Sequence, residues 1–346
     1  MPFRIFRSNF IFLYFLVLVT FSCKKEEPTP DLNKDKLVIT KNSRNINTDY
    51  DIVGFDTYSE DHIFAIGYNG YKIKLFLSSN GGSSWNDITS SFHASWNESI
   101  EMVQSVLYLD INCLAFIVND KLYRSYNGGN SWSATSNGFQ TLPIFCAGKT
   151  EDGSLLFVEN FSTVPNRVLK SAYDSPVFSV VTTLPNLHRE FEVGRLDENY
   201  FVFLDYQDDY YYDRIHQFNI ATNEVKPVPI FSSAYDYPVE AIKTGERIFL
   251  VGRFGLLDFA SLNESILTPP FVHELNLNYC SGENMGSYFI AVGEKVITTN
   301  KAGEWKDVYN TGYKKQQDMF RKIKKINQDY FYVSGDDGLF FKGSIK

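Results

Sequence analysis

The stretch Ser78-Ser79-Asn80-Gly81-Gly82-Ser83-Ser84-Trp85 returns further along the chain as Ser125-Tyr126-Asn127-Gly128-Gly129-Asn130-Ser131-Trp132. Both copies follow the pattern Ser-x-Asn-Gly-Gly-x-Ser-Trp. A weaker third runs from Thr298 to Trp305 (TTNKAGEW), keeping Thr298, Asn300 and Trp305 but carrying Ala302 where glycine stood. Each is preceded by two short apolar runs across a turn: FAIGYNGYKIKLFL, AFIVNDKLYR and FIAVGEKVIT. The pattern reads as strand, tight turn, strand, octapeptide. Within the octapeptide, Gly81 with Gly82 and Gly128 with Gly129 supply positive φ without steric cost, and the Asn and Ser side chains can bond the turn's own backbone. Trp85 and Trp132 are expected to swing back and pack between neighbouring strands, burying a large apolar surface.

Segments without the octapeptide keep the same rhythm. Residues 198–220 (ENYFVFLDYQDDYYYDRIHQFNI), 247–259 (RIFLVGRFGLLDF) and 329–345 (DYFYVSGDDGLFFKGSI) each read as two strands across a short turn. From residue 51 onward about seven such units follow at roughly 40–45 residues each, the spacing of a propeller blade. The 30 Phe and 22 Tyr favour pleated, half-buried strands, and outside residues 10–21 no apolar run at helical spacing exceeds two turns. The expected fold is therefore all-β: a β-propeller of four-stranded antiparallel blades, seven rather than six, with a pair of β-sandwiches as competitor. The last unit shows three strands, and residues 36–41 (KLVITK) are expected to add the fourth, closing the ring and removing its free edge.

The octapeptide resembles the Asp-box, or BNR repeat, of sialidases, sortilin-type receptors and photosystem assembly-factor-like propellers. Asn80, Asn127 and Asn300 replace the family's aspartate, keeping the acceptor and losing the charge. The resemblance implies a structural role for the motif: Ser78, Asn80, Gly82 and Trp85, Ser125, Asn127, Gly129 and Trp132, and Thr298, Asn300 and Trp305 build turns, and the motif repeats because the blade repeats. It implies nothing about photosynthesis. A sialidase also needs an arginine triad, a Tyr-Glu nucleophile pair, an acid Asp and an Arg-Ile-Pro type signature, and the mature chain has no such signature. Arg189, Arg214 and Arg253 fall on expected loops, but nothing gathers them. The adjacent acids Asp208-Asp209 and Asp336-Asp337 read as solvated turn residues rather than the paired carboxylates of glycoside hydrolysis. No nucleophile elbow or P-loop is present. Catalysis is not expected, and a divergent sialidase-like glycoside hydrolase is the least favoured reading.

The N-terminus reads as an address. Arg4 and Arg7 precede residues 10–21 (FIFLYFLVLVTF), an apolar run short for a membrane span. Ser22-Cys23 then resembles a bacterial lipobox, although Thr20 stands in place of Leu and Phe21 is bulky. Lys24-Lys25-Glu26-Glu27 resembles the signal that sends some Gram-negative lipoproteins to the cell surface. This divides the chain into a signal peptide (1–22), a tether (23–35) and one propeller domain (36–346). Cys23 would carry the lipid that holds the protein to the outer membrane, exposed at the cell surface, with a periplasm-facing orientation as alternative. An ordinary secretory leader or an uncleaved anchor is the competing reading. The formal net charge of −8 repels phosphate backbones, and Arg321 to Lys325 (RKIKK) alternates as a solvated strand face, so nucleic acid is not an expected partner. Cys113, Cys146 and Cys280 lack metal-ligand spacing and are expected as buried thiols or, for one pair, a disulfide. No metal or cofactor is expected.

In a four-stranded blade the octapeptide turns lie at one end of the ring. The turns between second and third strands, with the loops between blades, lie at the other, where propellers usually bind. The candidate binding residues there are Tyr68, Tyr71, Tyr206, Asp208, Tyr210, Tyr211, Tyr212, Tyr235, Arg253 and Asp336. The segment from Asp205 to Arg214 (DYQDDYYYDR) is rich in rigid, amphipathic tyrosines suited to protein or sugar surfaces. The expected function is non-catalytic: a protein-interaction scaffold of the cell envelope, with surface glycan binding as the alternative.

Overall fold

Ile63–Tyr68 is buried at five of six positions and Leu114–Val118 at all five. Such strands are covered on both faces, which is why they read as unbroken apolar runs rather than as alternation. The computed structural model describes residues 42–93, 103–119, 121–135 and 319–344, and between 144 and 309 the strands given below with a few residues beside them.

Among the described residues, twenty-eight strands form seven four-stranded antiparallel sheets, the blades of a β-propeller. Blade 1 comprises Asp51–Thr57, Ile63–Tyr68, Ile73–Ser78 and Asn86–Asp87, and blade 2 comprises Val103–Tyr108, Leu114–Val118, Lys121–Ser125 and Ser133–Thr135. Blade 3 runs through Ile144–Lys149, Leu155–Glu159, Arg167–Ser171 and Ser179–Thr183. Blade 4 holds Phe191–Arg195, Tyr200–Asp208, Tyr211–Asn219 and Glu224–Pro229. Blade 5 holds Pro238–Thr244, Arg247–Gly252, Gly255–Phe259 and Phe271–His273, and blade 6 Tyr279–Asn284, Phe289–Gly293, Val296–Thr299 and Trp305–Tyr309. Blade 7 is built from Phe320–Lys325, Tyr330–Gly335 and Phe340–Ser344 plus Asn42–Ser43 from the other end of the chain. The first strand of each blade touches the first strand of the next, and that of blade 7 returns to that of blade 1, so the innermost strands make a closed ring.

Closure differs in detail from the expectation. Residues 36–41 lie outside the described residues, and the strand that completes blade 7 is Asn42–Ser43, with Asn42 opposite Lys342 and Ser43 opposite Phe341. Arg44 and Ile46 carry the pairing on, donating backbone N–H bonds to Phe340 (2.8 Å) and Gly338 (2.9 Å). The described part of the closing segment thus runs beyond the apolar letters, because Arg44 and Ile46 find partners on blade 7 whatever their hydropathy.

The core is divided among the seams between blades. Phe64, Ile66 and Leu75 of blade 1 meet Leu114, Phe116 and Val118 of blade 2 around Phe92, which a short helix (Thr89–His93) inserts between them. Ile117 and Leu122 of blade 2 meet Phe157 and Leu169 of blade 3. Ile290 and Val292 of blade 6 meet Phe320 and Phe331 of blade 7, and Tyr332 and Phe340 of blade 7 meet Ile52 and Phe55 of blade 1. The two tryptophans lie in these seams and not between strands of their own sheet. Trp85 stands edge-on to Phe340 of blade 7 with ring centroids 5.0 Å apart. Trp132 stacks on Phe64 of blade 1 at 5.8 Å and meets Phe116 at 4.9 Å. Each turn carries its indole back over the preceding blade, where both sheet faces offer apolar surface.

Candidate functional site

The ring has two ends, and the hydrogen bonds of the turns set their character. At one end Ser78 and Ser125 finish the third strands of blades 1 and 2. The Ser78 hydroxyl accepts from Gly82 N–H at 2.8 Å and donates to Asn80 Oδ1 at 3.0 Å. Asn80 Oδ1 also accepts from Ser84 N–H at 2.9 Å, and its amide donates to Ser84 Oγ at 2.8 Å. In blade 2 Ser125, Asn127, Gly129 and Ser131 repeat all four bonds at 2.8–2.9 Å. Gly81, Gly82, Gly128 and Gly129 have φ of 64°, 82°, 66° and 84°, the left-handed region that favours glycine. The side-chain amide in place of a carboxylate gives the turn a donor toward Ser84 or Ser131 that an aspartate lacks.

Each of these turns is held from the preceding blade. Arg44 donates to the Gly81 carbonyl and, at 2.9 Å, to Ser83 Oγ, while Trp85 Nε1 donates to the Arg44 carbonyl at 3.0 Å. Ser91 donates to the Gly129 carbonyl, and Trp132 Nε1 donates to Ser91 Oγ at 3.1 Å. The pattern exposes an equivalent turn that the sequence reading missed, Ser171 to Phe178 (SAYDSPVF) in blade 3. Ser171 ends the third strand as Ser78 and Ser125 do. Phe178 takes the tryptophan's place, 5.3 Å edge-on to Phe157. Buried Arg124 of blade 2 donates to the Ser175 carbonyl and, at 3.3 Å, to Ser171 Oγ, with its guanidinium 5.4 Å from the Phe178 ring centroid. A serine and an aromatic seven positions apart were the available signal, without the glycines to mark it. In blade 6 Thr298 lies one residue before the end of the third strand and Trp305 opens the fourth, with Thr299 opposite Trp305, and Asn300 lies outside the described residues.

The other end carries the candidate binding residues. Tyr68 is half-buried against the seam of blades 1 and 2, whereas Tyr71 is 74% exposed at the tip of a turn. Asn69 Oδ1 fixes that turn by accepting from Tyr71 N–H (3.2 Å) and Lys72 N–H (2.9 Å). Asp336 is buried: Met319 N–H donates to one carboxylate oxygen at 2.8 Å and Arg321 Nε to the other at 2.5 Å. Burial raises its carboxyl above the usual carboxylate value, against the opposing pull of those two donors. Its groups join the first strand and a turn of blade 7, and Arg321 reaches on to Asp51 of blade 1 at 3.5 Å.

Tyr206, Asp208, Tyr211 and Tyr212 lie in strands of blade 4, where a loop was expected. Tyr206 stands opposite Tyr212 and Asp208 opposite Tyr211. Among the described residues, the first strand of the blade pairs as far as Asp205 and the fourth as far as Arg214, while the two central strands pair on to Asp208 and Tyr211 as a two-stranded arm, because tyrosine's preference for pleated backbone carries the ladder through the acidic stretch. Tyr210, Tyr235, Arg253 and Cys23 lie outside the described residues. Among the described residues, no group of three or more His, Cys, Asp or Glu is placed to hold a metal ion. No helix among them is long and apolar enough to cross a membrane.

Comparison with known proteins places this geometry. No family model and no curated protein sequence matches the chain. Solved structures do. YCF48 bound to D1 peptide aligns with a TM-score of 0.65 at 13% identity, covering 88% of this chain and 95% of that one. A catalytically inactive virginiamycin B lyase from Staphylococcus aureus, solved with quinupristin, gives 0.63 at 11%, covering 89% and 100%. The WD40 β-propeller domain of Doa1 gives 0.59 at 12%, covering 90% and 96%. At such identities the likeness is one of fold, and it is the propeller fold.

Proposed function

We propose that this chain is a non-catalytic interaction propeller carried on a cell-envelope lipoprotein, and that the end bearing the blade 4 arm takes a protein partner. The observation that carries the reading is the arm itself. Among the described residues its strands continue past both flanking strands, so that the backbone from Tyr206 to Asp208 pairs with Tyr211 and Tyr212 alone. Rigid aromatic side chains on a strand-held support have little conformational entropy to lose on binding. The exposed Tyr71 extends the same end. A propeller of similar fold, YCF48, is described as bound to a peptide, which supports the class of ligand and not its identity.

The test is a cross-linked capture from intact cells with tagged full-length protein, compared with a variant in which residues 206–213 are replaced by a two-residue turn. The expected result is one or two enriched envelope proteins, lost from the variant while its melting temperature holds. Capture unaffected by removing the arm refutes the assignment of this end. The tyrosines equally suit sugar rings. Retardation of the wild type in a polysaccharide gel, abolished by Tyr211→Ala with Tyr212→Ala, would replace the protein partner by a surface glycan. The anchoring half of the reading has its own check: Cys23→Ser is expected to move the protein from the membrane fraction to the soluble envelope fraction. A membrane-bound Cys23→Ser protein would show that something other than lipidation holds it.

A further inference from the structure

The octapeptide end of the ring, opposite the arm, carries an aromatic group that the reading above does not use. The turn between the first two strands of blade 1, closed by Tyr58 N–H donating to the His62 carbonyl at 3.1 Å, lies against the start of the corresponding turn of blade 2. Tyr58, His62 and Tyr108 pack with ring centroids 6.0, 6.4 and 6.5 Å apart. Tyr108 is buried beneath them, while Tyr58 is 51% exposed. Asp110 is fixed beside this group, because its Oδ1 accepts from Asn112 N–H (2.7 Å) and Cys113 N–H (2.9 Å). The Tyr58 ring, 6.0 Å from that of Tyr108, and Asp110, held in its turn two residues further along the chain, are thus the two groups next to Tyr108 in this patch. Burial first, then Asp110 and Tyr58, push the Tyr108 phenol upward.

Elsewhere the protein covers tyrosine rings with its own cations: Lys74 Nζ lies 4.6 Å from the centroid of Tyr50 and Lys342 Nζ 4.1 Å from that of Tyr330. Among the described residues no cation lies over Tyr58. Of the charges around it, Asp61 is on its own turn and Asp110 on the next, while Glu60 is paired with Lys342, and Asp56, which accepts from Tyr108 N–H, with Lys324. An exposed ring face backed by fixed carboxylates attracts a desolvated cation through the ring quadrupole and the charges together.

We propose that Tyr58, Tyr108 and Asp110 form a subsite for a lysine or arginine side chain on an extended segment of a protein partner. Ile111, 48% exposed on the same turn as Asp110, offers contact to an apolar residue of that segment. The proposal rests on the interaction reading and adds a second docking point at the opposite end of the ring.

The probe is fluorescein-labelled pentalysine, titrated by anisotropy against full-length, detergent-solubilised protein, with pentaglutamate and cellopentaose in parallel. Pentalysine is expected to bind and to weaken with salt. Tyr58→Ala and Asp110→Asn should each reduce its affinity about ten-fold, the scale of a partly desolvated cation–ring contact. Asp110→Asn keeps the oxygen that caps the turn, so a loss there reports charge and not misfolding. Val180→Ala, 52% exposed on the outer strand of blade 3, should leave binding unchanged. Absence of pentalysine binding, equal loss in Val180→Ala, or full retention in both patch variants overturns the subsite. Cellopentaose binding that Tyr58→Ala removes would reassign the patch to sugar. Partners captured from cells by the wild type and equally by Tyr58→Ala refute the subsite and leave the interaction reading standing. If the wild type captures no protein at all, the interaction reading fails, and the pentalysine titration still decides the subsite.

Discussion

Where blade 7 meets blade 1, a phenol with no exposed surface donates to two carbonyls: Tyr332 to Glu60 at 2.9 Å and to Gly81 at 3.2 Å. Burial pushes its pKa up to about 12, Glu60 and Asp61 adding to the rise and Arg44 opposing it. The unfolded chain releases this proton near pH 10, the folded chain about two units later. The contribution of Tyr332 is therefore complete below pH 10 and declines as pH rises to about 12, by about 3 kcal/mol in all. Urea midpoints at pH 9.5 and 11.5 are expected to fall more steeply for the wild type than for Tyr332→Phe, and parallel curves would contradict this. The tryptophans make a second comparison. Trp132 meets Phe64, Phe92 and Phe116, while the ring contact of Trp85 is with Phe340. Trp132→Ala is expected to cost about 3–5 kcal/mol, the range for large aromatic truncations in cores, and Trp85→Ala distinctly less. Chemical denaturation of the two variants side by side checks the order.

At the scale of the element, the closing segment of residues 42–46 does for blade 7 what a covalent continuation does for the other blades. It pairs with Phe340–Ser344, buries Ile46 in the seam with Tyr332 and Phe340, and sends the Arg44 side chain to the Gly81 turn. Removing residues up to 46 is expected to lower the melting temperature of the entire domain in one cooperative step. A truncated protein as stable as the full one would show that blade 7 closes without it. The octapeptides were legible in the sequence because glycine pairs and Asx-type side chains are local devices, with every bond within four residues. The third turn, at Ser171, was not. Its support is Arg124, which comes from another blade, and no local pattern reports a cation fifty residues away. Asn42–Ser43 was not legible for the complementary reason: apolar alternation marks a strand former, whereas these two polar residues are a strand because Phe340–Ser344 needs an edge partner.

For the whole molecule, the period of the sequence carried the architecture, since each repeat is one sheet and successive sheets bury each other's faces. The candidate sites were harder to read. Asp336 looked like an exposed turn acid and is buried on Arg321, because the turn folds back over the first strand of its own blade. Tyr206 and Tyr211 were assigned to a loop and belong to strands, because the ladder of the two central strands runs on to Asp208 and Tyr211. The patch around Tyr58 drew no notice, since Tyr58 and Tyr108 meet only when two blades are set side by side. Surfaces made between repeats leave no signature within one.

The pairing of Asn42 with Lys342 also gives the protein an order of completion in time. Synthesis proceeds from the N-terminus, so residues 42–46 emerge well before Phe340–Ser344 and must wait for that strand. Until that strand arrives the early segment has no place to lie. Between its arrival and the return of residue 42, blade 7 presents a bare edge that any matching strand can fill. A second newly made copy holds such a strand, identical and equally unplaced. Crowding of nascent chains at this one moment would join two rings by exchanged first strands, a dimer made by timing and not by any surface of the finished molecule.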